Sequence, residues 1–328
     1  MNRWILTLFC LLAFAVRCPA PLIFTPGEGW RYDKVGEEGK WQRTRAKDQL
    51  DVAQAAFDQG DYATAGKAAR RTVNVWPLSD YAPQGQYLVG RCYEVRGHDE
   101  KAFRAYQRLV EKYPKADNYD EVVKRQFDIA NRFLAGQSFK AFGYVPLFTS
   151  MDKTIKMYDQ IIKNGPYSDV APLAQVNIGE AHERKKTLFV ETPDYAEAAK
   201  AYEKAADRYS EQKVGVDALY QVGLAHTRQA KRAEYDQSVA SQAISTFTDF
   251  MTLHPEETRV PEAQKMIDSL KTEQARGSLD IARFYEKRGR LEGAKIYYNE
   301  VLLKDPGSKY ADIARERIDA IRKKETKN

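Results

Sequence analysis

The sequence predicts an all-α solenoid of about five to six stacked helix-turn-helix units closed by a capping helix. Three observations carry this. Small and aromatic residues recur at fixed offsets, no segment sustains the period-2 alternation of a strand, and proline recurs where second helices should stop. Composition agrees: of 328 residues, 43% are hydrophobic and 30% charged, which suffices for a core and is too apolar for a disordered chain. A net charge of +6, from 52 basic and 46 acidic residues, describes a mixed surface. A nucleic-acid binder carries a larger and more clustered excess, so no nucleic-acid partner is expected. No run of 18 apolar residues is present to form a spanning helix.

Residues 1–20 read as a secretory signal peptide. Arg3 supplies a positive start, and Trp4 to Val16 form an apolar run of signal-peptide length before Arg17 and the prolines 19, 21 and 26. Cleavage after Ala20 leaves Cys92 as the only cysteine of the mature chain, so no disulfide framework is expected. Lipidation at Cys18 stays open as the alternative, and would tether the chain to a membrane surface. Arg17 stands where bacterial lipoprotein signals carry a small residue. Residues 21–45, rich in Pro and Gly with Trp30 and Trp41, read as an extended arm.

Residues 46–323 carry the repeat. From Gly90 the pattern runs through Tyr93, Gly97, Ala102 and Tyr106 to Pro114. This is the tetratricopeptide pattern: small residues let two helices approach, aromatics fill the space between them, and proline ends the second helix. Ala53, Gly60, Ala65 and Pro77 repeat it 37 residues upstream, and Ala282, Tyr285, Gly289, Ala294, Tyr298 and Pro306 repeat it downstream. Three further copies have longer turns between their helices. They pair Ala130 and Phe133 with Thr154 and Tyr158, Gly179 and His182 with Ala198 and Tyr202, and Gly223 and His226 with Ala243 and Phe247. Tyr310 to Lys323 reads as the capping helix, and residues 324–328 as a disordered tail.

Chemistry is sparse. His98, His182, His226 and His254 form no HExxH or similar ligand spacing, and Cys92 has no CxxC partner. No GxSxG elbow, Walker A loop or GxGxxG fingerprint occurs, so a non-enzyme without cofactor or metal is expected. Two surfaces stand out as candidate partner sites. One is the insertion of residues 133–148, with Phe139, Phe142, Tyr144 and Phe148; these rings either plug a widened gap between helices or present an apolar docking surface. The other is Arg283, Arg288 and Arg290 of the last unit, whose guanidinium groups suit acidic partner loops or simply solvate the helices.

The stretches Phe57 to Pro77, Phe103 to Pro114 and Leu279 to Pro306, above all Ala282 to Gly289 (ARFYEKRG), resemble the BamD-like family of outer-membrane β-barrel assembly subunits. The resemblance implies a non-enzymatic, exported scaffold in the periplasm, associated with the outer membrane. Its partners would be the periplasmic domains of the barrel-forming subunit and unfolded outer-membrane protein segments. Relative to that family, extra helical pairs are expected around residues 130–210. Another periplasmic tetratricopeptide adaptor, serving cell division, pilus or secretin assembly, fits the same array.

Overall fold

The computed structural model describes residues 22–25, 29–32, 41–141, 145–187, 190–232 and 237–325. Residues 1–20, with the expected signal peptide and Cys18, lie outside the described residues. Thirteen helices and three two-stranded hairpins appear among the described residues. The fold is the all-α tetratricopeptide solenoid that the repeat predicts. The chain divides into two compact units, residues 1–129 and 130–328.

In the first unit, β1 (Leu22–Thr25) pairs antiparallel with β2 (Gly29–Tyr32). Four helices follow: α1 (Ala46–Asp58), α2 (Tyr62–Val75), α3 (Ala82–Val95) and α4 (Asp99–Lys112); α5 (Tyr119–Leu134) begins here. Gly60 and Gly97 close the first helix of each pair with positive φ (79° and 66°), a conformation that glycine adopts without Cβ strain. Asp61 then caps α2 by accepting from Thr64 N at 3.0 Å. Pro83 sits in the first turn of α3, where a missing N–H costs nothing. The core joins Ala53, Ala68, Ala69, Leu88, Val89 and Ala105, with Trp41 packed against it.

The second unit contains β3 (Phe139–Ala141), β4 (Val145–Phe148), α6 (Met151–Asn164) and α7 (Ala171–Glu183). It continues through β5 (Lys186–Thr187), β6 (Val190–Glu191), α8 (Tyr195–Arg208), α9 (Lys213–Arg232) and α10 (Gln237–Leu253). It ends with α11 (Val260–Lys287), α12 (Leu291–Lys304) and α13 (Lys309–Glu325). The last helix therefore runs two residues into the stretch expected as tail; residues 326–328 lie outside the described residues.

The ruler of small and aromatic positions is steric. A Cβ built on Gly90 would lie 2.3 Å from the Tyr106 ring, on Gly179 2.5 Å from Tyr202, and on Gly223 2.6 Å from Phe247. Each glycine thus lets the ring of the following helix lie against its backbone. Where the small residue is alanine, as at Ala130 and Ala282, Tyr158 and Tyr298 are still fully buried.

Two expectations are corrected. No strands were foreseen, yet three antiparallel hairpins form, two of them inside the lengthened turns of the 130 and 179 copies. Their strands hold two to four residues, too few to show alternation. The last copy was read as an ordinary pair, but its first helix is the second half of the 28-residue α11. The N-terminal half of α11 buries Ala263 and Ile267 against Phe247 and Phe250 of α10. Its C-terminal half buries Ala275, Leu279 and Ala282 against α12 and α13.

Candidate functional site

The aromatic insertion is placed first by its backbone. Phe139 lies opposite Phe148 in the β3–β4 hairpin, with an irregularity between Phe139 and Lys140. The Phe139 ring is buried and stacks on Phe133 with centroids 4.2 Å apart at 15°, and Lys153 Nζ sits 4.8 Å above it. Phe139 therefore offers no docking surface. The hairpin folds its ring back onto α5, where burial gains more than exposure to a partner would. Phe142 and Tyr144 lie outside the described residues, and Phe148 is described by its backbone alone.

The last-unit arginines are exposed, as a partner surface requires. Arg283 Nη1 is 3.9 Å from Asp280, a loose helical ion pair. Arg288 stacks on the Phe284 ring at 4.3 Å, so its guanidinium is held over an exposed aromatic. Arg290 is the N-cap of α12 and makes no side-chain cap bond. These residues share one end of the α11–α12 pair; the structure does not bring them into a site with the 133–148 insertion.

Sequence inspection missed a repeated polar clasp. Tyr106 Oη donates to Glu94 at 2.6 Å, and Arg125 Nη1 donates to the same carboxylate at 3.4 Å. Tyr298 Oη donates to Glu286 at 2.6 Å, and Arg317 Nε donates to that carboxylate at 3.1 Å. In both copies the tyrosine lies 12 residues, and the arginine 31 residues, beyond the glutamate. Each clasp ties a first helix, through its glutamate, to its own second helix and to the helix that follows. The Arg317 hydrogen bond, opposed by burial, holds the Glu286 carboxyl below the usual range. Burial, then Glu286, pushes the Tyr298 hydroxyl up to about 12. The equal spacing was visible in the sequence only once the clasp was known.

A groove of about 570 Å³ opens in the first unit between two inter-pair turns. Pro77, Leu78, Pro83, Tyr113 and Pro114 supply apolar walls, with Asp80, Asp117, Lys112 and Lys115 among the other residues lining it. Tyr113 Oη donates to the Pro77 carbonyl at 3.0 Å and fixes one turn to the other. Leu78 is 92% exposed. The groove has the shape and mixed chemistry for an extended segment, and nothing in it marks covalent catalysis.

The titratable groups singled out in the sequence are packed. Cys92 is buried against Ala56 and Ala65, and that burial pushes its thiol up to about 11, so it stays protonated and unreactive at neutral pH. His226 Nε2 stands 3.6 Å from Glu203. His182 is half-buried, and burial followed by Lys185 lowers its pKa against the opposing Asp194, Glu197 and Asp152. A histidine depressed on folding contributes stability that is full above its unfolded pKa and is lost as pH falls through the folded value. The melting temperature should therefore fall as pH drops below about 6.5, and His182→Gln should flatten that slope. Equal slopes in wild type and variant would remove His182 as its source.

Two family models match the chain. The outer membrane lipoprotein model (YfiO) matches residues 189–312, and a tetratricopeptide repeat model matches residues 50–117. No curated protein matches the chain. Similar solved structures include MamA from Desulfovibrio magneticus RS-1, at 14% identity and a TM-score of 0.31, covering 65% of this chain and 97% of that one. A tetratricopeptide protein from Parabacteroides merdae is 11% identical with a TM-score of 0.32, covering 84% and 98% respectively. The C-terminal part of one from Cytophaga hutchinsonii is 14% identical with a TM-score of 0.36, covering 83% and 88%. With helix pairs locked by glycine against aromatic rings and the repeat model matched at residues 50–117, the chain is a tetratricopeptide-repeat protein whose residues 189–312, over α8 to α12, are similar to the outer membrane lipoprotein family.

Proposed function

We propose that this protein is a periplasm-facing scaffold of outer-membrane β-barrel assembly, with residues 1–20 as its export signal. It binds the periplasmic domains of the barrel-forming subunit and receives unfolded barrel segments. The observation that carries this reading is the outer membrane lipoprotein match at residues 189–312. The groove between Pro77 and Asn118 suits an extended client, because apolar walls and charged neighbours meet alternate side chains. The exposed Arg283, Arg288 and Arg290 suit an acidic partner loop. Attachment at the outer membrane is peripheral, or through a lipid on Cys18; mass spectrometry of the native mature N-terminus separates the two.

Capture from detergent-solubilised envelopes tests the function. The barrel-forming subunit should co-purify with the wild-type chain. Arg283→Glu with Arg288→Glu should weaken its capture about tenfold, as expected for losing a charge-assisted contact worth about 1.4 kcal/mol or more. Capture of division or secretin components without the barrel-forming subunit would replace this reading with that of another periplasmic adaptor. Unchanged capture by the double variant would remove the two arginines from the interface.

A further inference from the structure

The repeat lets each second helix serve as a control for the others. Two and nine residues beyond its small position, α2 carries Lys67 and Asn74, α4 Arg104 and Glu111, and α6 Lys156 and Lys163. At the same places α8 carries Lys200 and Asp207, and α10 Ser245 and Thr252. All ten are polar and exposed. In α12 the two positions are Ile296 and Leu303, 66% and 83% exposed. They lie two helical turns apart on one face, about 10 Å from each other. Exposed Glu292 and Asn299 complete a 4-3-4 spacing, which is the seam one helix offers another.

Charge narrows the occupant. Residues 281–328 hold 13 basic and 8 acidic residues, so this end carries +5 of the chain's +6. Exposed Arg288 and Arg290 stand at the start of α12 and exposed Lys309 just beyond its end. A second copy would bring like charges together, and two aliphatic side chains fall far short of the roughly 1,200 Å² that a stable dimer buries. A bilayer would bury the Glu292–Lys295 ion pair (2.6 Å) and the Asn299 amide in its apolar interior, a desolvation cost that a protein helix with polar flanks avoids. The geometry points to an acidic amphipathic helix of a partner protein, docked along the Ile296–Leu303 face of α12. This rests on the reading of the chain as a scaffold and names the chemistry of one partner element.

The test uses the full chain and a labelled synthetic helix with leucines at heptad spacing and glutamates on its flanks, beside a scrambled peptide of the same composition. Wild type should bind the patterned peptide at least tenfold more tightly than the scrambled one, with affinity falling as salt rises. Ile296→Ser with Leu303→Ser should lose at least tenfold toward the patterned peptide and keep its melting temperature, since both side chains are exposed. Equal binding by the double variant, or equal binding of the two peptides, overturns the proposal. So does Ile296- and Leu303-dependent binding to phosphatidylglycerol vesicles without peptide binding, or a concentration-dependent dimer that the double variant abolishes. Capture of the barrel-forming subunit is read separately. If the peptide docks but that subunit is not captured, the surface stands and the scaffold assignment falls.

Discussion

Gly223→Val should lower the stability of the second unit by about 3 kcal/mol, whereas Gly66→Ala should raise that of the first by about 1 kcal/mol. Both glycines are buried inside helices, where every side chain but proline is favoured over glycine by propensity. The sign is decided by what the new atoms meet. At Gly66 a Cβ would lie 3.5 Å from Cys92 Cβ, an ordinary contact, so propensity wins. At Gly223 it would lie 2.6 Å from the Phe247 ring. That ring is fully buried and packed edge-on to Tyr220 at 5.6 Å, so it has nowhere to move. Overpacking then exceeds the propensity gain, and valine adds two more methyl groups to the clash. Phe247→Leu placed beside Gly223→Ala should recover part of the loss, because the smaller side chain vacates the contested volume. Urea unfolding midpoints measure all of these. If Gly66→Ala and Gly223→Val shift them in the same direction, the steric account of the repeat is wrong.

That account explains why the helix pairs were legible in sequence. A glycine or alanine facing a ring 16 residues on, as at Gly90 and Tyr106, is a constraint of contact distance, and contact distances leave a pattern in residue size. The long α11 left no such trace. From proline to small residue the spacing is 13 from Pro77 to Gly90 and from Pro166 to Gly179, but 27 from Pro255 to Ala282. The added 14 residues make nearly four whole turns at 3.6 per turn, so the buried stripe from Ala263 to Ala282 continues in phase. Its one proline, Pro261, sits in the first turn, where a missing N–H costs nothing, and its one glycine, Gly277, is accepted in the helix, so nothing broke the pattern. The candidate site was legible only in part. The exposed arginines were found as charges, but Ile296 and Leu303 look ordinary until α12 is aligned with its five sister helices. An exposed aliphatic residue is common on any surface; one that stands where every sister helix carries a polar residue is informative.

Phe139→Ala should cost about 3–5 kcal/mol, the loss expected for emptying a buried phenylalanine site. A docking ring predicts otherwise. Its removal would leave stability within about 0.5 kcal/mol and weaken only partner binding. The packing favours the first outcome. Phe139 is buried, stacked on the fully buried Phe133, and covered on another side by Lys153. Truncation exposes the Phe133 face and removes the apolar contact that holds the β3–β4 hairpin against α5. Phe139→Leu should cost far less, because a leucine still fills much of the volume while losing the stacked geometry. A stability order of wild type above leucine above alanine, with hydrogen exchange rising first in β3 and in residues 130–134 of α5, would identify a plug. Alanine stability equal to wild type, with partner capture lost, would restore Phe139 to the interaction surface and make the hairpin its presenting arm.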